Sequence, residues 1–338
     1  MRILYVIPGF DEGGAEVHVL SLIREMSSFG HEVTLLSSGG RLEHELPGNI
    51  KLLHMPVFRQ NPITVISCAM KISRLNDKYH WDIIHAHSRV PAWVSWIASK
   101  ITGIPWIMTA HSLYSLNFGI IPFRHADGVI CISRAVKNHL AGHLPPDNVI
   151  IPNGITPPKL RHEDFPHDDM KFLVVGRLTR LKGIDVALKA LAGLKAYDWT
   201  LDVVGEGNER KELEALADSL GIAGRVKFHG DKERGEVERF MAASSCMLFP
   251  SYSEGMGLVV LEALSAGLPV IVSDLEALRE FAGGGLVPAG DVEAWGKAIE
   301  RFILGGEASP LKTGEIVTVH DMALRVEEYY RKKVASVI

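Results

Sequence analysis

The chain has 338 residues, of which 47% are hydrophobic and 22% are charged, and its net charge at pH 7 is −4. This length suggests two domains, and the composition excludes a small disulfide scaffold, a wholly disordered chain and a coiled coil. The negative charge argues against nucleic acid as a partner. The charge is also uneven: residues 1–163 carry 15 basic and 12 acidic side chains (+3), and the remaining residues carry 21 and 28 (−7).

Short apolar runs alternate with amphipathic stretches in the first half of the chain. The apolar runs predict buried strands at 3–7, 33–36, 50–53, 82–85, 105–109, 128–132 and 149–151. The amphipathic stretches predict helices at 15–29, 62–78, 91–101 and 133–141, the last with Ser133 as its cap. Residues 152–169 are rich in Pro, His and Asp, which predicts a linker between domains.

The second half repeats the alternation. Strands are predicted at 172–175, 201–204, 226–228, 247–249, 269–272 and near Leu286. Helices are predicted near 184–194, 208–220, 233–243, 257–265, 276–282, 291–303 and 319–337, with residues 304–318 separating the last helix from the second domain. The pattern predicts an α/β protein of two doubly wound, Rossmann-like domains that face a cleft, with ligands at the carboxyl ends of strands.

Basic residues follow the first predicted strand of the second half. Arg177, Arg180 and Lys182 lie in the loop at its carboxyl end. A guanidinium and an ammonium at such a place could stabilise a departing diphosphate without a metal. A solvated basic loop is the alternative interpretation.

Two glutamates mark a second loop, which follows the strand at 247–249. Glu254 lies in the loop, and Gly255 and Gly257 would let a ligand approach backbone amides at the start of a helix. Glu262 lies in the apolar part of that helix, where an unpaired carboxylate is costly. The two carboxylates could hold two hydroxyl-bearing parts of one ligand, whereas an ordinary helix glutamate is the alternative for Glu262.

These motifs resemble those of the family-4 glycosyltransferases. The most specific is Ser-Glu-Gly-Met-Gly-Leu-Val-Val-Leu-Glu-Ala-Leu at 253–264, accompanied by Gly-Arg at 176–177, Lys-Gly at 182–183, Ile-Pro-Asn-Gly-Ile at 151–155 and Gly-Gly-Ala-Glu at 13–16. The resemblance implies a GT-B fold and a retaining transferase that uses a nucleotide-diphosphate sugar. It implies that residues 1–163 bind the acceptor and residues 164–318 the donor, with the last helix, 319–338, packing back on the first domain.

The resemblance also implies roles for individual residues. Arg177 and Lys182 would hold the donor diphosphate, Glu262 the ribose, and Glu254 the hydroxyls of the donor sugar. The family's histidine that faces the donor sugar from the first domain corresponds to His111. The remaining donor-binding positions implied are Gly13, Gly14, His229 near the nucleobase, and the segment of Gly255, Met256, Gly257 and Leu258. The family needs no metal and no cofactor beyond the sugar nucleotide.

The chain departs from the family pattern at residues 275–280, where Leu-Glu-Ala-Leu-Arg-Glu replaces a Gly-Gly pair followed by Pro-Glu, and only Glu280 fits. Met256 also replaces a commoner aromatic residue.

Elsewhere, His85 and His87 end a predicted strand, but no third metal ligand is evident in the sequence, so no metal site is predicted. The three cysteines, Cys68, Cys131 and Cys246, are predicted to be buried, reduced thiols.

The resemblance also bears on the donor nucleotide and the acceptor. A UDP-sugar is favoured over GDP-mannose on family frequency, and the acceptor is expected to be a glycan or a lipid-linked molecule in cell-surface polysaccharide or lipopolysaccharide synthesis.

No signal peptide is evident, which predicts a cytoplasmic protein. The helix at 62–78, with Lys71, Arg74 and Lys78, and the apolar segment 113–123 would suit peripheral contact with the inner membrane face. The alternatives are a GT-B sugar-nucleotide epimerase and a non-catalytic donor-binding subunit.

Overall fold

A computed structural model describes residues 1–11, 13–166, 169–308 and 316–336. The chain forms two compact units. The first unit comprises Met1–Gly154 and Val317–Ile338, and the second comprises Ile155–Ile316. Each unit is built on its own parallel sheet, as the alternation of strands and helices predicts.

In its described residues, the first unit has seven strands and five α-helices. The strands are β1 (Arg2–Val6), β2 (Glu32–Ser37), β3 (Lys51–His54), β4 (Ile83–His87), β5 (Trp106–Ala110), β6 (Gly128–Cys131) and β7 (Asn148–Ile150). The helices are α1 (Gly14–Ser28), α2 (Pro62–Tyr79), α3 (Arg89–Thr102), α4 (Arg134–Leu140) and, from the end of the chain, α11 (Val319–Ala335). The predicted cap of α4 is confirmed, since the Val136 amide donates to the Ser133 side chain over 3.1 Å.

All seven strands of the first sheet run parallel, in the order β3-β2-β1-β4-β5-β6-β7. The strand order reverses direction between β1 and β4, which makes that point the expected ligand position of this sheet. The central strands β4 and β5 are buried along their whole length, so the polar side chains that they carry, His85, His87 and Thr109, are buried as well.

The part of the second unit that the structure describes has five strands and six α-helices. The strands are β8 (Lys171–Val175), β9 (Thr200–Val204), β10 (Val226–Gly230), β11 (Cys246–Phe249) and β12 (Val270–Val272). The helices are α5 (Ile184–Ala192), α6 (Arg210–Ser219), α7 (Arg234–Ala243), α8 (Leu258–Ser265), α9 (Glu276–Arg279) and α10 (Val292–Ile303). The sheet is parallel in the order β10-β9-β8-β11-β12, so its order reverses between β8 and β11.

The predicted domain boundary after residue 163 is too late. Residues 155–163 belong to the second unit, where their backbone is tied to its helices. The Lys159 amide donates to Glu238 of α7 over 3.3 Å, and the His162 amide donates to the Ala266 carbonyl over 2.9 Å. The second unit likewise ends at Ile316 and not at residue 318. The composition of this stretch predicted an extended segment but could not show which body it contacts.

Two predicted elements of the second unit are wrong in detail. The strand near Leu286 is only a single bridge between Ser273 and Val287, because glycines and Pro288 flank the short apolar run. The helix predicted at 276–282 ends at Arg279. The segment 304–318 lies in part outside the described residues, as does the end of the helix predicted to reach residue 337.

The helix α11 packs in the first unit. Its buried face, Met322, Ala323, Val326, Tyr329 and Tyr330, joins the apolar core formed by β1 and α1. The helix begins with a capping box, in which the Asp321 amide donates to the Thr318 hydroxyl over 3.1 Å. No helix in the described part of the chain is both long and apolar enough to cross a bilayer. The three cysteines are buried free thiols, as predicted.

Candidate active site

The predicted donor loops leave neighbouring strands of the second sheet. Residues 176–183 follow β8, and residues 250–257 follow β11. Because β8 and β11 pair in parallel where the strand order reverses, both loops emerge at the same sheet edge. The fold therefore brings together two sequence motifs that are more than 70 residues apart.

Lys182 and Glu254 form the centre of this edge. The Lys182 ammonium donates to Oε1 of Glu254 over 2.5 Å, and both side chains are largely removed from solvent. The ammonium also lies 5.1 Å from the centre of the Phe249 ring. The cation and the carboxylate are thus paired with each other at this edge of the sheet.

The backbone at Gly183 fixes the end of the first loop. Gly183 has a φ of +62°, and a Cβ atom there would overlap the carbonyl oxygen of Pro250. The glycine therefore allows the two loops to touch directly beside Lys182. Arg177, by contrast, is exposed, and no ion pair joins it to another described residue.

The helix α8 begins at the end of the second loop. Gly257 is its N-cap with a φ of +82°, and a Cβ there would come within 2.6 Å of Leu278. The first-turn amides from Leu258 onward point towards the loop, which makes the end of this helix suited to an anion. Met256 is buried beneath the loop, while Gly255 is half-buried.

Glu262 belongs to a different group of side chains from Glu254. Its carboxylate lies 4.0 Å from the Arg234 guanidinium of α7, which also lies 3.4 Å from Glu238 and donates to the Thr156 carbonyl over 3.1 Å. Burial raises the pKa of the Glu262 carboxyl, while the charge of Arg234 lowers it. The two predicted carboxylates therefore have different cationic neighbours, Lys182 for Glu254 and Arg234 for Glu262.

His229 is the next-to-last residue of β10 and contacts two neighbouring elements. Its Nε2 lies 2.6 Å from Oδ1 of Asp202 on the neighbouring strand β9, and its ring lies 4.5 Å from that of Phe240 on α7. The sequence analysis did not identify Asp202 or Arg234. The signal that could have found Arg234 is its four-residue spacing from Glu238 on the helix after β10, which is typical of an ion pair.

In the first unit, histidines from three elements meet at the point where its strand order reverses. His87 ends β4, His111 directly follows β5, and His18 lies on α1. Nδ1 of His87 lies 2.9 Å from Nε2 of His111, and the ring centres of His18 and His111 are 4.9 Å apart. No third ligand beside His85 and His87 is evident in the sequence, whereas the fold brings His18 and His111 next to His87.

These rings are held neutral by their burial. Desolvation lowers the pKa of His18 to about 4, and it also places the pKa values of His87 and His111 well below the ordinary range. His85, also on β4, is buried as well. Its Nδ1 lies 2.6 Å from the Tyr330 hydroxyl, and its Nε2 lies 2.8 Å from the Thr109 hydroxyl.

Gly13 and Gly14 begin α1, near His18. Gly13 is the N-cap and has an extended backbone, and space is open around the Cα of Gly14. The departure at residues 275–280 forms the single turn α9, whose Arg279 is paired with Asp274 over 2.6 Å. Where the family pattern is rich in glycine, this chain therefore has a charged turn that an ion pair stabilises.

Comparisons with known proteins agree with both units. Residues 12–158 match the family model for glycosyltransferase family 4, and residues 157–314 match the model for glycosyl transferases group 1. The chain is a family-4 glycosyltransferase. The family and the transferase class predicted from the sequence are thereby confirmed.

Similar proteins extend this family assignment. The transferase is 27% identical to a D-inositol 3-phosphate glycosyltransferase of Acidothermus cellulolyticus, over 92% of this chain and 82% of that protein. Among solved structures, sucrose-phosphate synthase from Thermosynechococcus elongatus has a TM-score of 0.81 at 21% identity, with 99% and 100% of the two chains covered. Anabaena HepE in complex with UDP-glucose has a TM-score of 0.73 at 20% identity, with 100% and 97% covered. The transferase thus has the predicted GT-B fold.

Proposed function

We propose that this transferase moves a hexose-type sugar from a UDP-sugar to a glycan or lipid-linked acceptor, with retention at the anomeric carbon. The observation that carries the proposal is the Lys182–Glu254 pair beside the start of α8, where the strand order of the second sheet reverses. The occurrence of UDP-glucose in the HepE structure supports a uridine donor.

In this proposal the donor diphosphate takes the place of Glu254 as the partner of Lys182. Arg177, which is exposed, adds a second positive charge as the bond between the sugar and the diphosphate breaks. The released Glu254 carboxylate accepts hydrogen bonds from sugar hydroxyls. The first-turn amides of α8 bind the remaining negative charge.

The proposed bond changes need no protein nucleophile. The acceptor oxygen bonds to the anomeric carbon on the face from which the diphosphate leaves, and the leaving phosphate oxygen takes the acceptor proton. His111 would contact the donor sugar, and Glu262 the ribose. Because these side chains supply positive charge and hydrogen bonds, we propose that no metal is required.

The acceptor is proposed to belong to cell-surface polysaccharide or lipopolysaccharide synthesis at the inner membrane face. The surface of α2 supports contact with lipid, since Ile63, Ile66 and Met70 are 77%, 51% and 42% exposed and Lys71 is exposed beside them. Val65, on the same helix, is buried. In the segment 113–123, Leu116 and Phe118 are exposed, while Ile120 and Phe123 are buried.

The first test is a thermal-shift titration with UDP, GDP and ADP, each with and without EDTA. A ligand that binds the folded chain raises its melting temperature by mass action. We expect a shift with UDP that EDTA does not change and that Glu262→Gln reduces. A shift with GDP alone, or one lost in EDTA, would contradict the proposed donor or the metal-free site. Nuclear magnetic resonance of the product's anomeric proton would then test retention.

A further inference from the structure

The histidines of the first unit contain buried ring nitrogens without a protein partner. Both nitrogens of His18, Nε2 of His87 and Nδ1 of His111 make no hydrogen bond to the described parts of the chain. His18 is 6% exposed and His87 is fully buried. Buried polar atoms nearly always have a partner, so an accumulation of four at one place calls for an explanation.

The hydrogen bond between His87 and His111 limits which kinds of ligand the three histidines can bind. A neutral imidazole has one N–H and one lone pair, and one of the two rings donates to the other. The donor ring is left with an outward lone pair and the acceptor ring with an outward N–H. Since His18 adds one of each, the cluster offers at least two buried lone pairs to a ligand.

We propose that His18, His87 and His111 form a binding site for a zinc ion or another late first-row divalent cation. Each ring can contribute one nitrogen, and the three nitrogens lie within 4.8 Å of one another. A bound cation would replace the His87–His111 hydrogen bond by coordination to both rings. His111 is half-buried, which leaves a path for the ion to enter.

The chemistry of the ligands selects the class of cation. Three imidazoles suit zinc, copper and nickel, whereas Mg²⁺ and Ca²⁺ prefer oxygen ligands. Nitrogens around tetrahedral zinc lie about 3.4 Å apart at Zn–N distances of about 2.0–2.1 Å, so modest side-chain rotation closes the site. Three protein ligands leave a fourth position for water or a sugar hydroxyl.

The site has a consequence for the enzyme that rests on the proposed function. His111 is the residue proposed to face the donor sugar, and a metal-bound imidazole cannot make that contact. Zinc binding would therefore inhibit sugar transfer reversibly, although the reaction itself is proposed to need no metal.

The site is tested by adding zinc sulfate to the metal-free full chain. We expect one tightly bound equivalent, measured by competition with a chromophoric chelator, and an X-ray absorption spectrum with three imidazole ligands. Coordination that includes carboxylate, as the exposed His54–Glu43 pair would give, would overturn the proposal. This measurement uses the unmutated chain, so it does not depend on any variant folding.

Two variants and a control locate the ion. His18→Gln and His87→Gln should each weaken zinc binding by about tenfold or more, since even outer-shell changes cost that much. The control His320→Gln removes an exposed histidine of α11 and should leave the affinity unchanged. Equal affinities in the wild-type and His18→Gln chains would overturn the assignment.

Inhibition is tested separately from binding. Sugar transfer or donor hydrolysis should fall as the site fills with zinc and return after EDTA. Imidazole-coordinated zinc without inhibition would overturn the inhibitory role and argue against a donor contact by His111, while leaving the metal site in place. Failure of the unmutated chain to bind zinc, with intact transfer, would overturn the metal site and leave the proposed function standing.

Discussion

At the scale of single residues, the proposed donor site of the second unit depends on which charged groups are paired with each other. Lys182 is paired with Glu254, and Glu262 is near Arg234, whereas Arg177 is exposed. A diphosphate and a ribose would each replace or join an existing partner. In the proposed reaction Lys182 therefore exchanges a carboxylate partner for a phosphate.

Replacement of Lys182 by alanine should reduce kcat by about 10²-fold or more, because it removes a charge that would stabilise the leaving diphosphate. The control is Lys189→Ala, which removes a lysine on α5 paired with Asp185. It should leave kcat within about twofold, as expected for a surface ion pair. Steady-state kinetics at saturating donor measure both, and an unchanged kcat in the Lys182 variant would refute its role.

Replacement of Glu262 by glutamine should weaken UDP binding by roughly 10- to 100-fold, since hydrogen bonds to charged groups are worth about 1.5–3 kcal/mol. It should not lower the melting temperature. Burial raises the pKa of Glu262 in the folded chain, so its ionised form is unfavourable at pH 7. That penalty disappears in the wild type as the pH falls through the raised pKa, and it is absent from the variant at any pH.

Calorimetry with UDP and thermal unfolding at pH 7 and below check both parts of this expectation. The control Glu212→Gln changes an exposed glutamate of α6. A clear loss of thermal stability in the Glu262 variant at pH 7 would show that its carboxylate stabilises the fold.

At the scale of secondary structure, the positions of functional side chains depend on how strands end. The loops after β8 and β11 carry the proposed donor site, and the ends of β4 and β5 carry the histidines. Parallel strands place these ends at the same edge of each sheet. Because the loops emerge at the same edge, the chain must pack closely there. Gly183 and Gly257 allow this close packing because they have no Cβ atom.

Replacement of Gly183 by alanine should lower donor affinity and stability together, by about 1–3 kcal/mol in stability. The added Cβ meets the Pro250 carbonyl, and the positive φ disfavours any side chain. The control is Gly235→Ala on α7, where nothing lies within 4 Å of the added atom and helix propensity favours alanine. Chemical unfolding and UDP calorimetry measure the effects, and a neutral Gly183→Ala would contradict this account of the loop.

The helix α11 is attached to the first sheet by a buried hydroxyl as well as by apolar packing. The Tyr330 hydroxyl lies 2.9 Å from that of Tyr5 and 2.6 Å from Nδ1 of His85. Tyr330→Phe should therefore lower the free energy of unfolding by about 1–3 kcal/mol, because both buried partners lose their hydrogen bond to the Tyr330 hydroxyl. Urea unfolding measures the loss, with Tyr79→Phe at the end of α2 as the control. Equal stabilities of the two variants would show that packing alone holds α11.

At the scale of the whole molecule, charge and apolar surface are distributed unequally. Residues 1–163 carry a charge of +3 and the rest −7. Exposed apolar side chains and exposed basic side chains, Lys71, Arg74 and Lys78, both occur on α2. Such a combination suits adsorption to an anionic lipid surface by a protein whose described helices do not span a bilayer.

The full chain should therefore sediment with phosphatidylglycerol vesicles at low salt and be released as salt screens the attraction. Combined replacement of Ile63 and Ile66 by serine should weaken this binding. Replacement of the exposed Leu304 after α10 by serine should not, and it serves as the control. Binding that is absent at low salt, or insensitive to the α2 substitutions, would remove the membrane contact from the proposal.

The sequence by itself determined the fold class, the transferase family and the elements on which the site residues lie. This was possible because strand burial, helix periodicity and the motifs around Arg177 and Glu254 are local patterns. Only the tertiary structure decided which side chains meet. It paired Lys182 with Glu254, separated Glu254 from Glu262, placed Arg234 beside Glu262 and joined His18 to His87 and His111.

The physical reason is that these contacts depend on strand order. A parallel sheet brings together residues far apart in the chain, and the same local signals are compatible with several orders. The domain boundary was misplaced for a related reason, since residues 155–163 are assigned by hydrogen bonds to α7 and to the end of α8, which composition does not encode.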